Sequence, residues 1–163
     1  MNFCTEKTDL LCENVTVGEN GHLYFAGLDT AFLAEKYGTP LYLMDEDRIR
    51  NRCRTYIDAV TEAFGDKGLV LYASKAASFK RIYEIMAEEG MGIDVVSSGE
   101  ICTALKAGFD IQNAFFHSNN KTDADIKYAI ENGIGYFVVD NAEELYAIND
   151  IELNIIFSNI CFT

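Results

Sequence analysis

The sequence predicts an α/β fold built on a parallel β-sheet. Short apolar runs recur along the chain, and each is followed by a stretch with helical spacing of its apolar residues, which is typical of repeated strand-helix units. Each run is apolar throughout, as expected of parallel strands that are buried on both faces. With 163 residues, 49% of them hydrophobic, the chain is long enough to bury one sizeable core. These observations remove the all-α and all-β classes.

The predicted elements follow in order along the chain. A strand at 41–44 comes after Pro40, and a helix then runs from Asp45 to about Phe64 with apolar residues along one stripe. Shorter units follow, with strands at 69–73, 92–96, 114–116 and 136–139 and helices at 79–88, 98–107, 122–131 and 141–149. Glycine or asparagine closes three of these helices, at Gly90, Gly108 and Asn132.

The charge of the chain bounds its partners. The net charge of −13 argues against nucleic acid and anionic membranes, because both would repel such a surface. Residues 1–11 contain three charged side chains and no apolar stretch long enough for a signal peptide, and no later run approaches the length of a membrane span. We therefore expect a cytoplasmic protein with no nucleic-acid and no membrane partner.

The cysteines and histidines do not suggest a metal site. Five cysteines are scattered without a Cys-x-x-Cys pair, and the two histidines, His22 and His117, are far apart. This spacing supports neither a zinc site nor a disulfide framework. We expect reduced, mostly structural thiols and no bound metal.

Polar residues lie at or just past the carboxyl ends of four of the predicted strands. They are Lys75, Asp94, His117 and Asp140, spaced by about twenty residues, or one strand-helix unit each. Because parallel strands end at the same edge of a sheet, these side chains converge on one rim. Active sites lie at this rim in (β/α) barrels, and the ligand crevice of an open doubly wound sheet lies there too. Periodicity leaves both architectures open.

Lys75 directly follows the apolar run that ends at Ala73-Ser74. A lysine amine that is desolvated at the mouth of an apolar barrel can condense with an aldehyde, which is how pyridoxal phosphate enzymes hold their cofactor. The alternative interpretation is a solvated lysine at a strand end.

Four motifs resemble the N-terminal half of the barrel in diaminopimelate decarboxylases, members of the alanine-racemase-like, fold type III pyridoxal phosphate enzymes. They are Tyr72-Ala73-Ser74-Lys75-Ala76, the segment from Gly90 to Glu100, the segment from Phe116 to Lys121, and the segment from Phe137 to Asn141. The resemblance covers about residues 22–150 and implies a partial (β/α)8 barrel of the TIM type, about its first four βα units. It divides the chain into an N-terminal segment, 1–44, half of the cofactor-binding barrel, 45–150, and a tail, 151–163, that does not match the family. Residues 22–26 would be a strand of the family's C-terminal β domain.

The same resemblance implies roles for individual residues. Lys75 matches the catalytic lysine that holds pyridoxal 5'-phosphate covalently, and Asp94 and His117 are expected to bind this cofactor. Three further residues would contact these cofactor-binding residues and hold them in place: Glu100, Tyr72 and Asn120.

The residues by themselves allow other interpretations. Asp94 could instead accept hydrogen bonds from nearby backbone N–H groups, and Glu100 could simply complement the dipole of its helix. His117 could pack or form hydrogen bonds as readily as take part in catalysis. Asp140 is expected to close its strand and help start the next helix.

The function implied by the resemblance is decarboxylation of meso-diaminopimelate to L-lysine, a step of lysine biosynthesis, by an enzyme that is a homodimer at full length. The alternatives are another enzyme of this fold type, such as an ornithine or arginine decarboxylase or an amino-acid racemase, and a non-catalytic remnant. The motifs Ser98-Gly99-Glu100 and Asn119-Asn120-Lys121 favour diaminopimelate decarboxylase.

The sequence departs from the family in three places. Ala77 stands where the family usually has asparagine, and Ser118 stands where it usually has glycine. After Asp150 the expected second half of the barrel and the C-terminal domain do not follow. We therefore expect a truncated chain with little or no activity alone, which self-associates through open sheet edges at 69–72 and 155–157.

Overall fold

The structure, a computed structural model, describes residues 12–151 and 160–162. The expectations for residues 1–11 and for the apolar edge at 155–157 lie outside the described residues. The chain divides into two compact units, Met1–Ile49 and Arg50–Thr163.

The first unit contains a small antiparallel sheet and one short helix. The strands are β1 (Val15–Val17), β2 (Leu23–Phe25) and β3 (Leu28–Asp29), in the order β1-β2-β3. Helix α1 (Thr30–Tyr37) follows, and the carboxylate of Asp29 caps it by accepting from the N–H of Ala31 at 2.8 Å. The predicted strand at 22–26 therefore forms, while its place in a larger β domain stays a prediction.

The predicted strand at 41–44 is wrong. These four residues pair with no strand in the described structure, and all four are exposed, Tyr42 to 97%. An apolar run becomes a strand only when a neighbouring chain supplies hydrogen-bond partners, and here the described residues supply none.

The second unit is built on parallel strands that alternate with helices. Helix α2 (Glu46–Phe64) crosses the boundary between the units. The elements that follow are β4 (Leu71–Ala73), α3 (Lys80–Glu88), β5 (Gly92–Val95), α4 (Ser98–Lys106), β6 (Ala114–His117), α5 (Asp123–Glu131), β7 (Tyr136–Val139), α6 (Ala142–Ile151) and β8 (Ile160–Phe162). The described helices include none that is long and apolar enough to cross a membrane.

The sheet order is β4-β5-β6-β7-β8, and all neighbours are parallel. The four adjacent parallel strands predicted between residues 69 and 139 are confirmed. The fifth strand, β8, was not predicted. It pairs with β7 through Phe137 and Ile160, so part of the tail extends the sheet. A run of three residues is too short to show the alternation of apolar and polar side chains that predicts a strand. It is a strand because it pairs with the free edge of β7.

Helices cover one face of this sheet, and the core lies beneath them. Alternate strand residues on that face are at most 1% exposed, namely Ile93, Val95, Phe116, Phe137 and Val139. On the opposite face Asp94, Phe115, His117 and Tyr136 are half-buried, with the rings of Phe115 and Tyr136 stacked 4.1 Å apart. The prediction that both faces are buried is wrong for the described chain, because no layer covers this second face.

Candidate functional site

The carboxyl ends of β4 to β7 bring the four predicted rim residues to one edge of the sheet. Lys75 lies in a one-turn 3-10 helix, Ser74–Ala76, that directly follows β4. Asp94 lies in β5, His117 is the last residue of β6, and Asp140 directly follows β7. The shared edge is a consequence of the parallel strand order.

Tyr72 stabilises the turn that carries Lys75. The Tyr72 hydroxyl donates to the carbonyl oxygen of Ala77 at 2.9 Å, which fixes the far end of the turn. Burial raises the pKa of Tyr72, so its phenol stays a neutral donor at physiological pH. The hydroxyls of Ser78 and Tyr83 are hydrogen-bonded at 2.8 Å just beyond the turn. Lys75 itself is exposed, so its amine is accessible to a ligand.

Asp94 has an unsatisfied oxygen. It pairs in register with Ala73 on β4 and with Phe115 on β6, which places its side chain on the open face of the sheet. Its Oδ1 atom is buried and has no hydrogen-bond partner in the described structure. Burial raises the pKa of Asp94, although the positive charges of His117, Lys75 and Lys121 act against this shift. An oxygen left in this state is costly, which favours a ligand-binding role over satisfaction of local N–H groups.

His117 and Asp140 face each other across neighbouring strand ends. His117 Nε2 lies 3.8 Å from Asp140 Oδ1, and the two side chains are 40% and 26% exposed. Asn141, rather than Asp140, caps the next helix, because its Oδ1 accepts from the N–H of Glu144 at 2.8 Å. Asp140 directly follows β7, and its backbone N–H donates to Glu144 Oε2 at 3.3 Å in the first turn of α6, so its backbone contacts agree with the expectation that it closes its strand and helps start the next helix.

Glu100 supports a loop and does not face the open side of the rim. Its side chain turns back so that Oε2 accepts from the N–H of Val96 at 2.7 Å, and Ser97 caps the same helix turn. This contact fixes the loop that follows Asp94 in the chain. Asn120 is exposed in the loop after β6, where its N–H donates to the hydroxyl of Ser118 at 3.4 Å. Its predicted supporting role stays a prediction.

Lys121, which belongs to the motif Asn119-Asn120-Lys121 but was given no role from the sequence, also lies at the rim. Its side chain is fully buried and forms an ion pair with Glu144. Its Nζ donates to the carbonyl oxygens of Ser118 at 2.9 Å and Val138 at 2.8 Å. No local pattern marks this lysine as buried, since two of its three partners, Val138 and Glu144, lie on β7 and α6.

The residues of the rim suit an aldehyde ligand that also carries hydrogen-bonding groups. Lys75 offers an accessible amine, Asp94 an unpartnered carboxylate oxygen, and His117 a half-exposed imidazole. Pyridoxal 5'-phosphate has an aldehyde together with a ring hydroxyl and a ring nitrogen, so this donor set fits the cofactor.

Comparison with known proteins agrees with this chemistry. Residues 46–160 match the family described as pyridoxal-dependent decarboxylase, pyridoxal binding domain. The chain is 48% identical over 135 residues to diaminopimelate decarboxylase of Bacillus methanolicus, which covers 83% of this chain and 31% of that protein. It is 44% identical over 133 residues to the Bacillus subtilis enzyme, covering 82% of this chain and 30% of that one.

The fold is similar to solved structures of the same kind of enzyme. Diaminopimelate decarboxylase of M. jannaschii in co-complex with L-lysine superposes with a TM-score of 0.80 at 35% identity, covering 92% of this chain and 35% of that chain. These structures and sequences are all longer than the chain, which spans about a third of their length.

Proposed function

Since this chain belongs to the pyridoxal-dependent decarboxylases, whose pyridoxal-binding domain matches residues 46–160, we propose that it supplies the cofactor-binding part of an enzyme that converts meso-diaminopimelate to L-lysine and carbon dioxide. Relatives at 44–48% identity that are named diaminopimelate decarboxylase support this substrate. The observation that carries the proposal is the rim itself, where the accessible amine of Lys75 shares one sheet edge with the unpartnered Oδ1 of Asp94.

Each residue of the rim has its own role in the proposed reaction. Pyridoxal 5'-phosphate, when bound, takes up the electron pair left behind as a carboxylate departs. Lys75 holds the cofactor through its amine, and Tyr72 keeps the turn of Lys75 in place through the carbonyl of Ala77. Asp94 orients the cofactor by accepting a hydrogen bond at Oδ1, and its buried position makes that bond stronger than one in water. His117 lies at the open edge, where its imidazole can donate or accept a proton.

We also propose a cytoplasmic location and a homodimeric full-length enzyme. All four described cysteines are free, as is usual in a reducing compartment. The dimer is inferred from the resemblance to the family. Cell fractionation checks the location, and sedimentation of the full-length enzyme checks the dimer.

The cofactor lysine is tested by chemical labelling. The chain is incubated with pyridoxal 5'-phosphate, reduced with borohydride and digested, and the peptides are mapped by mass spectrometry. We expect the pyridoxyl group on Lys75 and its loss in Lys75→Arg. Lys80→Arg is the matched control, since Lys80 is an exposed lysine five residues further along. Label on Lys80 or Lys121 in place of Lys75 would refute the assignment.

The substrate is tested on a chain completed with the C-terminal part of a related diaminopimelate decarboxylase. We expect lysine from meso-diaminopimelate and no product from ornithine or arginine. Turnover of ornithine or arginine alone, or racemisation, would favour the alternative enzymes of this fold type. The 163-residue chain by itself is expected to form little or no lysine, since it spans about a third of the relatives' length.

A further inference from the structure

The amine of Lys121 is buried between two loops of the rim, the one that follows β6 and the one that follows β7. Its side chain is 0% exposed, and its Nζ donates to the carbonyl oxygens of Ser118 and Val138. Ser118 directly follows His117, and Val138 is the residue paired with His117 across β6 and β7. The amine is therefore hydrogen-bonded to the residue that follows His117 in the chain and to the residue that pairs with His117 on the neighbouring strand.

Glu144, the counter-ion of Lys121, contacts the loop that follows β7. Its side chain is 10% exposed, and its Oε1 accepts from Lys121. Its Oε2 accepts from the backbone N–H of Asp140 at 3.3 Å, and Asn141 caps its own N–H. One carboxylate thus connects the lysine to Asp140, the residue that faces His117.

The start of α4 shows what the lysine adds. Glu100 occupies the same position relative to its helix cap as Glu144, and it likewise accepts from a strand-end N–H, that of Val96. A glutamate is therefore enough to hold one loop. At α6 the buried lysine ties this loop to the neighbouring strand as well. Burying an ion pair costs desolvation free energy that packed apolar side chains would avoid, so the pair is better explained by the geometry it imposes than by stability.

We propose that Lys121 is a positioning residue of the rim, which acts with Glu144 to fix the two loops and thereby the placement of His117 against Asp140. The inference rests on the proposed function only in taking His117 to be part of the cofactor site. The positioning itself is a property of the chain without cofactor, so it can be measured there.

The test compares three variants with a matched control. Lys121→Met removes the buried amine, Glu144→Gln removes the counter-charge, and the double variant removes both charges together. Lys127→Met is the control, because Lys127 belongs to an exposed ion pair on α5, 3.8 Å from Glu131. In the 163-residue chain without cofactor, NMR records the imidazole signals of His117, with His22 as the internal reference. Hydrogen exchange records the amides of residues 118–122 and of Asp140.

In Lys121→Met we expect a lower unfolding midpoint, shifted and broadened His117 signals, and exchange about tenfold faster at both loops. The double variant leaves no uncompensated buried charge, so its midpoint should return towards that of the unaltered chain. Its His117 signals and loop exchange should nevertheless stay altered, and its yield of pyridoxyl label on Lys75 should fall. Lys127→Met should change none of these readouts.

The proposal is overturned if the double variant regains the original His117 signals and exchange together with its midpoint, because Lys121 would then only balance charge. Should Lys121→Met fail to fold, Glu144→Gln and the double variant decide the question by the same signals. If the unaltered chain takes no label on Lys75, the proposed function fails, whereas the His117 signals still decide this inference.

Discussion

Asp94 combines a buried, unpartnered Oδ1 with a pKa raised by burial. The ionised carboxylate is therefore less stable in the folded chain than in the unfolded chain. An acid whose pKa is raised by folding lowers the free energy of unfolding as the pH rises through its folded pKa. The residue that the proposed site needs should thus destabilise the chain when no cofactor is bound.

We predict that Asp94→Asn raises the unfolding midpoint of the cofactor-free chain at pH 7, because the variant removes the desolvation cost of the carboxylate. The difference in midpoint between this variant and the unaltered chain should disappear below about pH 4, where the carboxylate is protonated in both the folded and the unfolded chain. Thermal unfolding followed by circular dichroism between pH 3 and 8 measures this. Asp58→Asn, at an exposed position on α2, is the control. The same Asp94 variant should label poorly at Lys75, and an unchanged or lower midpoint at pH 7 would contradict the argument.

At the scale of elements, α2 is joined to the C-terminal end of α3 by arginine–glutamate contacts. The carboxylate of Glu89, 7% exposed, accepts from Arg54 at 2.7 and 2.9 Å and from Arg50 at 2.7 Å. These hydrogen bonds hold the pKa of Glu89 below its ordinary value, with Arg54 contributing most. An acid whose pKa is lowered by folding adds stability above its unfolded pKa and loses it as the pH falls through its folded pKa.

We predict that Glu89→Gln lowers the unfolding midpoint at pH 7, and that the difference from the unaltered chain shrinks as the pH falls below about 4.3, the ordinary pKa of glutamate. Glu131→Gln breaks an exposed ion pair with Lys127 and should have no measurable effect. Unfolding curves of both variants at pH 7 and pH 3 provide the measurement. A deficit in Glu89→Gln that is equally large at pH 3 would show that lost packing, not charge, is responsible.

At the scale of the whole molecule, the sheet of the second unit has an unpaired edge on each side as far as the described residues show. Each edge strand, β4 and β8, has one strand neighbour among the described elements. Apolar side chains on the face away from the helices, including Leu71 and Val138, are only half-buried. Unpaired strand edges beside an apolar surface are sites where chains associate.

We predict that the 163-residue chain self-associates at ordinary salt, where its net charge of −13 is screened beyond about 8 Å. Size-exclusion chromatography with light scattering gives the mass. Leu71→Lys places a charge on the edge strand and should lower the average mass. Tyr146→Lys, at an exposed position on α6, should leave it unchanged. A monodisperse monomer that unfolds cooperatively would show that the edges are protected.

Much of this molecule could be predicted from its sequence. Apolar runs followed by helices that end at glycine predict parallel strands, because those signals are local in the chain. Lys75, Asp94 and His117 follow from the same pattern, since the carboxyl ends of parallel strands necessarily meet at one edge. The resemblance of the surrounding motifs then pointed to the pyridoxal-dependent decarboxylases, and the family match over residues 46–160 confirms it.

Only the tertiary structure decided the rest, because it depends on residues far apart in the chain. The burial of Lys121 is set by Glu144, 23 residues away, and nothing beside the lysine in the sequence indicates it. The strand at 160–162 exists because β7 has a free edge, and the run at 41–44 is no strand because the described structure offers it no partner. The sequence alone determined that Lys75, Asp94 and His117 lie at the carboxyl ends of parallel strands, whereas burial and long-range hydrogen bonds decided that Asp94 has an unpartnered oxygen and that Lys121 is buried against Glu144.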